Sequence, residues 1–314
     1  MRWSLLAVAA ACGVALAAQR AGAQGGRHAA LVLELPASSR ALALGGAAAA
    51  LAEDDASLFS NPAQLASSLG ASGSLSLQQY LQSSTLAALS VAIPAGHGTA
   101  GFGVQLLDYG SEAEIVPDPA FGGERGLATG GQVSASDLAV TAGYGMSLGR
   151  VRLGASTKLV QQRIAGLTGS AGAVDIGAAV DAPYGLTLAA SVQHIGSTLS
   201  IAGERAPLPR TIRFGGALAL PRTGPLSMLA TGEMRQIPGS GVRLGGGAEG
   251  NWSTGNGVVL TARLGVQDRP EGSAANRLTI GGGVRGGHVG LDYAYQGYET
   301  VGGAAHRVGA RWWR

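Results

Sequence analysis

The 314-residue sequence predicts an all-β protein, namely a transmembrane antiparallel β-barrel of about 14 strands with a short N-terminal helical plug segment. Three observations predict this fold. Apolar and polar residues alternate with a period of two, connections alternate between short and long, and aromatic residues cluster at segment ends. We expect residues 1–23 to be a signal peptide, residues 24–70 the plug segment and residues 71–314 the outer-membrane barrel.

The N-terminal residues have the pattern of a secretory signal peptide. Arg2 supplies a positive charge, Leu5 to Ala18 form an apolar run, and Ala21-Gly22-Ala23 is a small-x-small cleavage site. Lipoprotein processing before Cys12 is the alternative, but Ala9 stands where a larger aliphatic residue is usual. Cleavage after Ala23 would remove Cys12 and leave a mature chain without cysteine. Such a chain needs no disulfide in an oxidising compartment.

The composition excludes several classes of protein. Apolar residues make up 46% of the chain and charged residues 13%, which is unlike a disordered protein. The 22 basic and 19 acidic residues nearly balance and form no basic run, so we expect no nucleic-acid partner. After the expected signal peptide no run of about 18 apolar residues occurs, so no membrane-spanning helix is predicted.

Two short segments near the N-terminus have helix-capping chemistry. Ser60 or Asn61 can cap a short helix with Pro62 at its first position, and Asp54-Asp55-Ala56-Ser57 can begin another. One interpretation is that these segments fill the lumen structurally. The other is that they contribute to gating or contact a ligand. Leu31 to Leu35, just before them, fit either an extra strand or an exposed arm.

Residues 151–159 show the alternation most clearly. Leu153 and Leu159 fall on one face, while Arg152, Ser156 and Lys158 fall on the other. This pattern is typical of half-buried strands. In a soluble sandwich the apolar face is buried, whereas in an outer-membrane barrel it meets lipid and the polar face lines the lumen. The alternation alone leaves both architectures open.

The connections favour the barrel over a secreted soluble sandwich. Short joins such as Gly149-Arg150 resemble periplasmic turns, and long ones at residues 110–132 and 196–209 resemble extracellular loops. A meander of about 14 strands has two exposed edge strands unless the sheet closes into a barrel. We expect aromatic residues Tyr80, Tyr109 and Tyr298 near the loops and Tyr184, Trp252, Trp312 and Trp313 near the turns. Strands are expected to start near residues 71, 84, 99, 134, 150, 172, 184, 209, 225, 240, 256, 276, 287 and 304.

Charged residues on the polar strand faces are expected in the lumen, where each needs a counter-ion. Lys158 and Asp175 are equidistant from a hairpin tip at Gly166-Leu167. We therefore expect the two residues to lie opposite each other and to pair. The expected lumen-facing residues are Arg152, Lys158, Asp175, Arg213, Arg243, Glu249, Arg263 and Asp292.

At the N-terminus, the stretches from Arg40 to Ala47 and from Glu53 to Ala63 resemble the signature of the PorV/PorQ family of outer-membrane barrels. Those proteins are similar to the FadL fatty-acid transporters, which carry a related Asn-Pro-Ala segment. The chain departs from the usual barrel pattern at Arg314, which follows the terminal aromatic residues. The resemblance implies a 14-stranded barrel whose N-terminal segment folds at or inside the periplasmic mouth, with a plug motif at Gly45, Gly46, Asp54, Asp55, Asn61, Pro62 and Ala63.

No catalytic residue, metal site or cofactor is predicted. The five histidines are scattered without a ligand spacing, and Gly281-x-Gly283-x-x-Gly286 lies in a glycine-rich strand rather than opening a helix. We therefore expect no enzyme, although a barrel phospholipase with Ser, His and Asn on adjacent strands lacks a motif that would reveal it.

Two classes of function fit a barrel of this size. The first is a FadL-like conduit for a small hydrophobic molecule. The alternative, implied by the resemblance, is a secretion-system accessory barrel of the PorV/PorQ type, which binds cargo or partner proteins through its extracellular loops. A purely structural membrane protein is a third reading. All of these place the chain in outer-membrane lipid of a Gram-negative-type envelope.

Overall fold

The computed structural model describes residues 28–54, 56–79, 84–268, 275–298 and 303–314. Its main feature is a closed barrel of 14 antiparallel strands, which confirms the predicted fold class. Consecutive barrel strands pair with each other, and the first strand pairs with the last, Ser72 opposite Trp313, to close the sheet. We call the end of the barrel where β1 (Ser72–Gln79) ends and β2 (Thr85–Ala95) begins the loop side, and the opposite end, at residues 95–98, the turn side.

The described residues contain 16 strands. Fourteen form the barrel, and β8 and β9 form a separate hairpin in the connection between β7 and β10, which the sequence did not predict. The bounds are β1 Ser72–Gln79, β2 Thr85–Ala95, β3 Gly98–Pro117, β4 Gly126–Leu148, β5 Val151–Ile164, β6 Leu167–Asp181, β7 Leu186–Gly196, β8 Thr198–Ile201, β9 Glu204–Pro207, β10 Thr211–Ala219, β11 Leu226–Ile237, β12 Gly241–Ser253, β13 Val258–Gln267, β14 Ala275–Gly286, β15 Val289–Tyr298 and β16 Gly303–Trp313.

The exposure of side chains on β5 decides which face is outside. Leu153 and Leu159 are 41% and 71% exposed, whereas Arg152 and Lys158 are buried. An apolar exterior around a polar interior is the pattern of a membrane barrel and the reverse of a soluble sandwich.

The segment predicted as a long loop at residues 110–132 is instead the end of a two-stranded ribbon. Past Asp108 and before Ala135, β3 and β4 pair only with each other, as in the pair Ser111 and Ser134. A 3₁₀ helix at Pro119–Phe121 closes the ribbon. The fourth strand was predicted to begin near residue 134, but it begins at residue 126. The reason is that the residues expected in the loop pair as two antiparallel strands, β3 and β4.

The N-terminal segment forms short helices inside the barrel, as predicted except at Leu31–Leu33, where an extra strand or an exposed arm was expected. They are a 3₁₀ helix at Leu31–Leu33, helix α1 at Ser39–Ala43, and 3₁₀ helices at Ser57–Phe59 and Pro62–Ser67. A further 3₁₀ helix, Pro183–Gly185, forms a turn between β6 and β7. No helix in the described ranges is long and apolar enough to cross a bilayer.

The aromatic residues follow the predicted girdles only on the turn side. Tyr184 is 94% exposed there, and Trp252 and Trp312 are also exposed. On the loop side the prediction is wrong for two residues. Tyr109 donates a hydrogen bond to the buried Asp137 at 2.8 Å, and Tyr298 is buried. Tyr80 lies outside the described residues.

Candidate functional site: the plugged lumen

The plug is the described part of the N-terminal segment, residues 28–54 and 56–68. Its first 3₁₀ helix contacts β3 and β4 and packs on loop-side residues such as Leu107. Its last 3₁₀ helix contacts β4, β5 and β6, and its Leu65 packs with Ala92 of β2 near the turn side. The plug thus runs along the lumen from the loop side to the start of β1.

Asn61 anchors the plug motif. Its side-chain oxygen accepts from the Ala63 backbone N–H at 3.1 Å, which caps the last 3₁₀ helix with Pro62 in its first turn. Its amide nitrogen donates to Ala49 O at 3.0 Å and to Ala178 O of the barrel wall at 3.3 Å. One fully buried side chain therefore joins two parts of the plug to β6.

A row of glycines in the wall receives this motif. Gly145, Gly154 and Gly177 are cross-strand neighbours on β4, β5 and β6. A Cβ atom at Gly177 would overlap the Asn61 side-chain oxygen, and one at Gly154 would overlap the plug backbone at Pro62. These glycines are required because the plug backbone approaches the sheet too closely for a side chain.

The other described residues of the predicted plug motif form turns and hydrogen bonds within the N-terminal segment. Gly45 and Gly46 both have positive φ and end α1, where Gly46 N–H donates to Ala41 O at 2.8 Å and Gly45 N–H to Leu42 O at 3.2 Å. The Asp54 carboxylate accepts from the Ser38 hydroxyl at 3.1 Å. Asp55 lies outside the described residues.

Barrel side chains also bind the plug backbone directly. The Glu233 carboxylate accepts from the N–H groups of Ala48 and Ala49 at 2.9 and 2.8 Å. Its other oxygen accepts from Arg213 at 2.6 Å, so the buried charge has a counter-ion. Arg213 in turn donates to Gln193, which donates to the plug carbonyl of Phe59.

Lys158 and Asp175 form the predicted ion pair, with 2.6 Å between Nζ and the carboxylate, and both side chains are buried. The predicted register is wrong. Ile164 pairs with Leu167, so the hairpin tip lies one residue earlier and Lys158 is opposite Ala173, while Asp175 is opposite Ser156. The two charges meet diagonally because the lysine side chain is long enough to span the offset.

A network of five charged side chains lies towards the turn side. Arg40 of α1 binds Glu249 through two hydrogen bonds of 2.9 and 3.0 Å. Arg263 joins Glu249 to Asp292, and Arg311 also binds Asp292. Burial alone would lower the pKa of the Arg40 guanidinium, but the Glu249, Asp54 and Asp292 carboxylates together outweigh burial and hold that pKa above its ordinary value.

Two cavities adjoin this network and form what we call the turn-side vestibule. Their volumes are about 360 and 290 Å³. Both are lined by Glu53, Arg285 and Arg311, so they meet at these side chains. Charged side chains line the vestibule, and the smaller cavity is also lined by Arg40, Glu249 and Arg263 of the network.

The loop-side cluster has the opposite character, because its buried members are all apolar. The plug contributes Val32 and Leu33 at its centre, and the β8–β9 hairpin covers it with Leu199. Ala29 N–H donates to Pro207 O at 3.0 Å, which ties the plug to that hairpin. The cluster comprises Ala29, Ala30, Val32, Leu33, Leu86, Leu107, Ala139, Val160, Ala171, Ala173, Leu199 and Leu208.

The structure buries seven of the eight residues expected in the lumen and half-buries Arg243. Arg152 pairs with Asp181 near the turn side. Sequence reasoning missed Asp137, which an alternation with Ala139 and Thr141 could have revealed. It also missed the interior arginines whose partners lie in the plug, namely Arg235, which donates to Glu34 O, and Arg307, which donates to Pro36 O. In the described part of the chain no group of three His, Cys, Asp or Glu side chains could hold a metal ion.

Solved structures with the same fold include three hydrocarbon or FadL-type barrels. The Ralstonia pickettii toluene transporter TbuX is 12% identical with a TM-score of 0.59, over 88% of this chain and 98% of that one. The CymD monoaromatic hydrocarbon channel is 10% identical with a TM-score of 0.62, over 91% and 99%. A Pseudomonas aeruginosa FadL homologue is 9% identical with a TM-score of 0.57, over 88% and 98%.

At these identities the similarity concerns the fold. No protein-family model matches the chain. No curated protein matches its sequence.

Proposed function

We propose that this chain is an outer-membrane conduit of the FadL type for small hydrophobic molecules. The observation that carries the proposal is the division of the lumen into an apolar loop-side cluster and a polar turn-side vestibule. A hydrophobic molecule would bind in the first and leave through the second. The named functions of TbuX and CymD, a toluene transporter and a monoaromatic hydrocarbon channel, support this choice of substrate.

The plug segment itself occupies the apolar region, where the Ala29 N–H donates to Pro207 O at 3.0 Å but the two hydrogen bonds of Val32 are long. Val32 N–H donates to Asp137 at 3.3 Å, and Gln105 donates to Val32 O at 3.4 Å. Deeper in the lumen, Arg40 and Glu249 form a charge-assisted pair at 2.9 Å. Residues 29–33 are therefore the part of the plug that leaves the lumen at the lowest cost.

Uptake by cells with an intact lipopolysaccharide layer tests the proposal. Cells that express the chain should accumulate radiolabelled ethylbenzene faster than cells with an empty vector. Leu33→Ala should raise the rate further, because it removes packing that holds the plug in the loop-side cluster. Leu127→Ala, on the exposed ribbon, is the matched control. No uptake above the empty vector across a series of hydrophobic probes would overturn the conduit.

The ribbon supports a second candidate, a PorV/PorQ-type accessory barrel that holds secretion-system proteins or cargo. Its residues 109–134 lie beyond the barrel strands, and Ile115 and Phe121 are 67% and 50% exposed. Exposed apolar side chains on a projecting element are typical of protein-binding surfaces. Acidic residues surround them, namely Glu112, Glu114, Asp118 and Glu124.

A shortened ribbon separates the two candidates. Ser111 and Ser134 are paired, so an Asn-Gly turn can replace residues 112–133 without disturbing the barrel. Under the conduit proposal, ethylbenzene uptake stays at the level of the unaltered chain. Under the accessory proposal, cargo proteins are released from the cell surface into the medium.

A further inference from the structure

Asp137 is an unusual residue to find beside the apolar loop-side cluster. Its side chain is 0% exposed beside the loop-side cluster, and no Lys, Arg or His among the described residues forms an ion pair with it. Instead its carboxylate accepts three hydrogen bonds, from Gln162 at 2.7 Å, Tyr109 at 2.8 Å and the Val32 backbone at 3.3 Å. Burial of a carboxylate is costly unless such donors satisfy it.

Two of these donors are on the barrel and the third is on the plug. Tyr109 and Gln162 belong to β3 and β5 and would stay in place if the plug moved. The backbone N–H and C=O of Val32 would leave with the plug. Asp137 would then lose the hydrogen bond that the Val32 N–H donates. Gln105, whose amide donates to Val32 O at 3.4 Å, would lose its acceptor at the same time. Departure of the plug thus leaves one acceptor and one donor facing an apolar space.

We propose that the loop-side cluster, once vacated, binds an apolar molecule that carries a hydroxyl group, such as a phenol or an aliphatic alcohol. This rests on the proposed conduit and deepens it by naming the substrate class. Gln105 and Asp137 are diagonal neighbours on β3 and β4, so a hydroxyl group that donates to Asp137 and accepts from Gln105 would replace the hydrogen bonds of the Val32 N–H and C=O. A hydrocarbon replaces neither, and an ether replaces only one.

The same geometry disfavours ligands that carry a carboxylate group. A ligand carboxylate would place a second negative charge beside Asp137 in a region that is apolar and closed to water. The buried cation beside this cluster, Lys158, lies opposite Ala173 and is already paired with Asp175, so it would not offset that repulsion. Selectivity for hydroxyl groups over both hydrocarbons and acids is therefore the property that Asp137 confers.

Equilibrium dialysis against protein in lipid nanodiscs tests this, with empty nanodiscs subtracted. The probes are ethylbenzene, 4-ethylphenol, 4-ethylanisole and 4-ethylbenzoate, which share an apolar body. A hydrogen bond to a charged group predicts that 4-ethylphenol binds about tenfold more tightly than 4-ethylanisole. Asp137→Asn should reduce this preference to below about threefold while ethylbenzene binding is retained.

The controls separate recognition from a purely structural role. Asp108→Asn makes the same change on an exposed β3 residue and should keep the tenfold preference. Gln105→Leu, which leaves Asp137 in place, should also weaken 4-ethylphenol binding relative to ethylbenzene binding. This variant replaces Asp137→Asn as the test if Asp137→Asn does not fold. If Asp137 only pins the plug, its loss changes the affinity for all four probes by the same factor, which overturns the inference.

Two further outcomes distinguish this inference from the conduit itself. Tightest binding of 4-ethylbenzoate would overturn the hydroxyl preference while leaving a conduit for a different substrate class. Uptake of ethylbenzene with equal affinity for phenol and ether would also overturn the inference alone. Absence of uptake for every probe would overturn the conduit, and the inference with it.

Discussion

Lys158 and Asp175 form a buried ion pair across β5 and β6 even though neither lies opposite the other in the ladder. Asp175 also accepts hydrogen bonds from the Ser156 hydroxyl at 3.0 Å and the His194 backbone at 2.8 Å. The carboxylate is therefore satisfied from three sides, whereas the only ion pair of Lys158 among the described residues is with Asp175.

Removal of the carboxylate alone should be more harmful than removal of both charges. Asp175→Ala leaves a buried lysine without a counter-ion and should cost roughly 3–5 kcal/mol of unfolding free energy. The double variant Asp175→Ala with Lys158→Met should recover part of this loss. Urea titration of refolded barrels measures both. Identical midpoints would show that the pair contributes nothing.

Gly177 should not tolerate a methyl group. A Cβ atom there overlaps the Asn61 side-chain oxygen, so Gly177→Ala should displace the plug motif and cost about 1–3 kcal/mol. Gly172→Ala is the matched control on the same strand, because its nearest neighbour would be Lys158 O at 4.0 Å. Proteolysis of the plug reports its release. Equal protection in both variants would contradict the proposed close contact.

The orientation in the membrane follows from the two ends of the barrel. The ribbon at Ser111 should face the outside of the cell and the turn at Arg150 the periplasm. An impermeant thiol reagent on intact cells should label Ser111→Cys and leave Arg150→Cys unlabelled. Both residues are in exposed positions, so accessibility alone does not distinguish them. The reverse labelling pattern would invert the orientation.

The two faces of the wall should differ in their tolerance of charge. Leu264 is exposed on the outer face near the middle of β13, so Leu264→Arg should cost about 2–4 kcal/mol. Ser227 lines the turn-side vestibule, so Ser227→Arg should cost much less. Folding titrations into lipid vesicles compare the two. Equal losses would mean that the inner and outer faces are wrongly assigned.

The sequence by itself determined the number of barrel strands, because a period of two is a local property of the chain. Leu153 and Arg152 alternate in the sequence, and the structure places them outside and inside. The helix cap was also local and was predicted at Ser60 or Asn61, of which the structure uses Asn61. The β3–β4 ribbon and the β8–β9 hairpin were missed, because their residues lack a strong alternation.

Only the tertiary structure decided what each interior side chain contacts. The register that places Lys158 opposite Ala173 depends on one residue in a turn, which composition does not specify. Arg40 and Glu249 are 209 positions apart and meet because the plug lies inside the barrel. Asp137 and Val32 are 105 apart and meet for the same reason. Contacts between the plug and the barrel form only when the sheet closes around the N-terminal segment. No local pattern in the sequence encodes them.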